Sequence, residues 1–158
     1  MDYTVGNESF MTEQDPESIY LDKFRNGSFT SALRWHNLDD LWEVLRSNVS
    51  DDWFLYAIGS PVPEKPSSHN ELLVFIEKID ELLRKDHEED YCGIVYADNL
   101  ENPGMVKIFD PHNLGVTCGY SDNPPLPGWV ISKLQPVDLV TNQVIANNRK
   151  KWWQKLFS

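Results

Sequence analysis

At 158 residues, with 41% hydrophobic and 12% aromatic residues, the chain fits one domain with a real core, and disorder of the whole chain is excluded. Its formal charge of −11 is unevenly spread: residues 1–148 hold all 25 acidic residues against 10 basic ones, a net −15, while residues 149–158 carry +4. A body this acidic repels nucleic-acid phosphates and attracts a basic protein partner, so nucleic-acid binding is not expected of it.

The first 20 residues have no basic region and no apolar run, so no secretory leader is expected. No segment approaches the roughly 20 apolar residues that span a bilayer. With only Cys92 and Cys118, a disulfide framework is not expected, and reduced thiols in the cytoplasm are the better default. The Asn-x-Ser matches at Asn7, Asn26 and Asn48 then carry no meaning, because glycosylation requires the secretory route.

In chain order, residues 1–28 are polar and acidic with isolated aromatics and no sustained period, which reads as a loosely ordered acidic arm with at most a short helix near 18–25. An α+β domain is expected over 29–140. Its first main helix is predicted from an N-cap at Asn37, with Asp39 and Asp40 in the first turn and Leu38, Leu41, Trp42 and Leu45 along one face. Residues 53–58, WFLYAI, are apolar on both alternating faces, as in a strand covered on both sides. Pro61, Pro63 and Pro66 make an extended connector to the second helix. That helix opens on Ser68 and Glu71, three residues apart as in a capping box, and carries the stripe Leu72, Phe75, Ile76, Ile79, Leu82 and Leu83.

Residues 94–97 and 105–109 are β-branched and aromatic, and the turn formers between them predict a hairpin with a long connection. A short strand over 115–119, a stiff proline loop over 123–128 and a last strand over 129–134 follow. Beyond Pro136 the chain loses core character until residues 141–158, a cationic aromatic tail. The expected architecture is a single small α+β domain with an antiparallel or mixed sheet of about four to five strands and two main helices packed on one face.

Three features carry chemistry. Cys92, Asp110, His112 and Cys118 are metal-ligating residue types on or beside the hairpin, but they lack C-x-x-C or H-x-x-x-H spacing, so inert thiols and an Asx-type turn at Asp110 are the expectation. No catalytic set, cofactor motif or phosphate-binding glycine loop is present in the sequence. Trp129 is expected in the core, and Trp35-His36 as a contact that fixes the chain where the first main helix begins.

The tail is the least ordinary feature. In a helix, Trp152, Trp153, Leu156 and Phe157 would cluster with Lys150, Lys151 and Lys155 around them, a pattern suited to a partner or a membrane face. The functional expectation is therefore a small acidic interaction or regulatory protein that binds a protein partner, with the tail docking on partner or membrane surface. One alternative is an acidic inhibitor or immunity-type protein that neutralises a basic toxin or nuclease. The other is a metal- or thiol-dependent enzyme using the Cys92, Asp110, His112 and Cys118 group.

Overall fold

In the computed structural model, which describes residues 15–87, 89–113 and 126–139, the chain runs through α1 (Pro16–Asn26), β1 (Thr30–Ser31), α2 (Trp35–Ser47), β2 (Phe54–Ala57) and α3 (His69–Asp86). It continues through β3 (Val95–Ala97), β4 (Met105–Ile108), a 3₁₀ turn at Pro111–Asn113 and β5 (Trp129–Ser132). The strands form one sheet in the order β1-β3-β4-β5-β2, and every neighbouring pair is antiparallel. This is the α+β domain anticipated above.

Register explains how the sheet feeds two cores. Leu55, Ile131, Val106 and Ala97 lie opposite one another across four strands, and all four are buried in a cluster with Leu38, Leu41, Trp42 and Leu45 of α2 and Leu72, Phe75, Ile76, Ile79 and Leu83 of α3. One residue along, the row Tyr56, Val130, Lys107, Tyr96 faces the other way because side chains alternate along a strand. Tyr56 and Val130 belong to a second, smaller cluster with Met105, Ile58 and two residues of α1, Tyr20 and Phe24. The two main helices thus share one face, as anticipated, and α1 covers the other.

Residues 16–26 thus hold the short helix allowed for near 18–25, and it is docked on the sheet rather than loose. Asp15 caps α1 by accepting the Ser18 N–H at 2.7 Å, and Pro16 supplies the helical φ in its first turn. Tyr20 and Phe24, four residues apart, stack at 6.3 Å and turn onto the sheet. Two apolar positions are enough to cover a small patch but too few to show a period. Two lysines fasten the helix: Lys107 Nζ donates to the Phe24 carbonyl at 2.6 Å between the rings of Phe24 and Phe29, and Lys23 Nζ lies 2.8 Å from Asp98 Oδ2. Burial holds the Lys107 ammonium below its ordinary pKa.

Other boundaries also differ from expectation. α2 starts at Trp35 rather than after an Asn37 cap; Asn37 instead reaches back to accept the Arg34 N–H at 3.0 Å. Asp39 therefore sits beyond the first turn and pairs with Arg84 of α3. Past Pro136, Val137 and Leu139 still pack on the second cluster, with the Leu139 N–H 3.3 Å from the Tyr56 hydroxyl, so core character persists there. The Ser68 and Glu71 capping box forms as expected, with reciprocal bonds of 3.1 and 2.8 Å. The expected strand over 115–119 and the prolines of 123–125 lie outside the described residues.

A candidate interaction surface beside the end of α3

Of the four residues with metal-ligating chemistry, the three that are described, Cys92, Asp110 and His112, are not assembled into a centre. Cys92 is fully buried in the larger core, where its N–H donates to the Leu33 carbonyl at 2.7 Å. Burial pushes its thiol pKa up, against a smaller downward pull from the Ile94 and Val95 backbone, so the reactive thiolate is disfavoured. Asp110 is buried and accepts the His112 N–H at 2.9 Å, the Asx-type bond expected of this turn. The His112 ring points elsewhere, with Nε2 2.9 Å from Asp86 Oδ2. Cys118 lies outside the described residues, and among those described no group of three or more His, Cys, Asp or Glu side chains is placed to hold a metal ion.

The long connection of the hairpin forms an open hollow lined by Thr30, Asp98, Asn99, Leu100 and Glu101. The side-chain oxygens of Asp98 and Asn99 are already engaged. Asp98 Oδ1 takes backbone N–H groups from Asn99, Gly104 and Met105 at 2.8–3.2 Å, and Asn99 Oδ1 takes those of Glu101 and Asn102. This is turn architecture, and little acceptor capacity is left for a ligand.

A different group is assembled where α2 begins and α3 ends. Trp35 opens α2 with its indole partly against the main core, and the Arg84 guanidinium of α3 lies 4.9 Å above its ring. Arg84 is oriented by two carboxylates, Asp80 at 2.9 and 3.1 Å and Asp39 across the helix pair, while Trp42 donates its indole N–H to Asp80 at 3.0 Å. His87, the residue at the C-terminal cap of α3, meets the Trp35 ring edge-on at 6.2 Å and the Tyr91 ring at 6.3 Å. The Trp35 indole N–H donates to the Glu89 carbonyl at 3.1 Å and so ties the 87–91 segment to α2.

Tyr91 stays 46% exposed and Leu33 52% exposed, two of the most solvent-facing large apolar side chains described. Gly93 makes this possible. It has φ +71°, a conformation L side chains avoid, and a Cβ there would lie 3.1 Å from the Tyr91 ring. The result is an aromatic and arginine patch with exposed Asp39, Glu89 and Asp90 around it.

No family model, curated protein or solved structure matches this chain.

The patch was only partly legible. Trp35 stood out as a residue fixing the start of a helix, and it does pack at that margin. The sequence of residues 86–90 is a polar run, and nothing local in it shows that His87 and Glu89 meet Trp35. The tail residues Lys150, Lys151, Trp152, Trp153, Lys155, Leu156 and Phe157 lie outside the described residues, whereas Trp129 is buried in the core as expected. No helix among the described residues is long and apolar enough to cross a membrane.

Proposed function

We propose that this protein is a cytoplasmic interaction or regulatory domain whose acidic body binds a basic protein partner and whose cationic aromatic tail, residues 149–158, provides a second docking contact to partner or membrane. The observation that supports this reading most directly is a patch of exposed Tyr91 and Arg84 around the half-buried Trp35, edged by carboxylates on a body of net −15. Trp, Tyr and Arg carry a disproportionate share of binding energy at protein interfaces. Carboxylates around them steer a cationic partner and disfavour acidic ones.

The same surface supports a narrower second reading, an inhibitor of the immunity type that covers a basic toxin or nuclease. Such a target binds phosphates through Lys and Arg, and a field of exposed carboxylates competes for those groups.

The experiment compares the full chain with one ending at Asn148 as immobilised baits, with captured proteins identified by mass spectrometry at rising salt. Both baits are expected to be folded and to retain a basic partner whose capture weakens steeply as salt screens the acidic body, with weaker capture by the shorter chain. Salt-insensitive capture would remove the electrostatic reading, and equal capture by both chains would remove the role of the tail.

A further inference from the structure

Resting on the reading above, we infer that the patch formed by Leu33, Trp35, His87 and Tyr91, with Glu89 and Asp90 at its edge, is the docking site for an arginine-rich segment of a basic protein, and that the rest of the acidic surface only steers. Three observations combine. Leu33 and Tyr91 stay exposed although both belong to segments tied tightly to their neighbours: Cys92 N–H bonds to the Leu33 carbonyl, and Tyr91 is held against His87 and Gly93. A preformed aromatic surface binds without first paying to be ordered.

The charge chemistry selects the occupant. Asp39, Asp80, Asp86, Glu89 and Asp90 outnumber the nearby cations Arg34, Arg84 and Lys85. Arg84 is already committed to Asp39 and Asp80, and Asp86 to His112, which leaves the exposed Glu89 and Asp90 as the carboxylates open to a partner. The face of the half-buried Trp35 is already taken by the Arg84 guanidinium at 4.9 Å, so Tyr91 is the exposed ring of the patch left to receive a partner's guanidinium beside Glu89 and Asp90. A guanidinium is planar, stacks on aromatic rings and bonds carboxylates with two parallel N–H groups; an ammonium is tetrahedral and does neither as well. The acidic surface around Asp40, Glu43, Asp51 and Asp52 has exposed carboxylates but no comparable exposed ring, so it offers attraction without an anchor.

The test uses the full-length ¹⁵N-labelled chain titrated with a synthetic arginine-rich dodecapeptide, and with lysine-rich and glutamate-rich peptides of the same length. The arginine-rich peptide is expected to move the Trp35 indole resonance and the amides of residues 89–93 and to bind more tightly than the lysine-rich one, with no response to the glutamate-rich one. Tyr91→Ala, and separately Glu89→Lys with Asp90→Lys, should each weaken binding by about tenfold, the scale of losing an interface anchor, whereas Asp51→Lys with Asp52→Lys should change it by no more than about twofold. Glu89, Asp90 and Tyr91 are exposed, so the two patch variants are expected to melt with the parent, whereas Asp51 accepts the His69 N–H at 2.8 Å, so the control variant is compared at a temperature well below its own measured melt. Arginine-peptide binding that shifts resonances around Asp40 and Asp51 and survives in both patch variants would overturn this site while leaving the acidic-body reading intact. No response to either cationic peptide would overturn both.

Discussion

Asp98 is one of the turn formers between the two hairpin strands, and its side chain organises that turn. Its carboxylate closes the hairpin connection through three backbone N–H groups and anchors α1 through Lys23. Burial alone would raise its pKa, but the Lys23 ammonium and the Gly104 and Met105 N–H groups outweigh burial and hold it below the ordinary aspartate value. Because the folded value is the lower one, the unfolded chain takes up the proton first. The stabilisation is therefore present above the ordinary pKa of about 3.9 and is lost as pH falls through the folded value. Asp98→Asn keeps an acceptor but not the charge and should cost about 1–2 kcal/mol at neutral pH, the difference between charged and neutral hydrogen bonds. Denaturant unfolding of both proteins at pH 7 and near pH 3 checks this. The gap should narrow at the lower pH, and an equal gap at both would refute the assignment.

The helices divide by how much of their packing is written locally. α3 was legible because its cap and its apolar stripe are both contiguous in sequence, and the structure places Leu72, Phe75, Ile76, Ile79 and Leu83 in the core as the spacing predicts. Ser68→Ala should lower stability by about 1 kcal/mol in a thermal or denaturant melt, since the Glu71 N–H loses the Ser68 hydroxyl as its acceptor while the backbone N–H of residue 68 still donates to Glu71. α1 was nearly invisible because only Tyr20 and Phe24 of its residues are buried, and the partners that fasten it, Lys107 and Asp98, lie far along the chain. Tyr20→Ala should cost about 3 kcal/mol, the scale of truncating a large core aromatic, despite its position in a polar acidic stretch. A loss below about 1 kcal/mol would mean that α1 only rests on the sheet. The start of α2 lies three residues earlier than expected for a related reason: Trp35 gains contact with Arg84 and His87, which no N-cap propensity at Asn37 reflects.

For the molecule as a whole, electrostatics oppose compactness. The surface ion pairs, such as Arg46 with Glu43 at 3.7 Å and Lys133 with Asp52 at 3.8 Å, are long and exposed and contribute little. Repulsion among the excess carboxylates of a −15 body acts over the whole surface. Added sodium chloride should therefore raise the melting temperature between low ionic strength and about 0.5 M, where the screening length shrinks to a few ångströms. A melting temperature that falls with salt would show that the specific pairs outweigh the net repulsion. The same salt series separates folding from binding, because screening should strengthen the fold while it weakens capture of a basic partner.

What the sequence determined by itself was whatever depends on neighbours along the chain: the periodic faces of α2 and α3, the capping box, the doubly apolar strand β2, the β3–β4 hairpin and the Asx-type turn at Asp110. These follow from hydrogen bonds and side-chain spacings a few residues apart. Only the tertiary structure decided that α1 takes the second face of the sheet, that Trp35 receives Arg84 and His87, and that Tyr91 stays exposed beside Glu89 and Asp90. Each of those outcomes depends on contacts between residues tens of positions apart, whose formation rests on three-dimensional packing and leaves no period or motif in the local sequence.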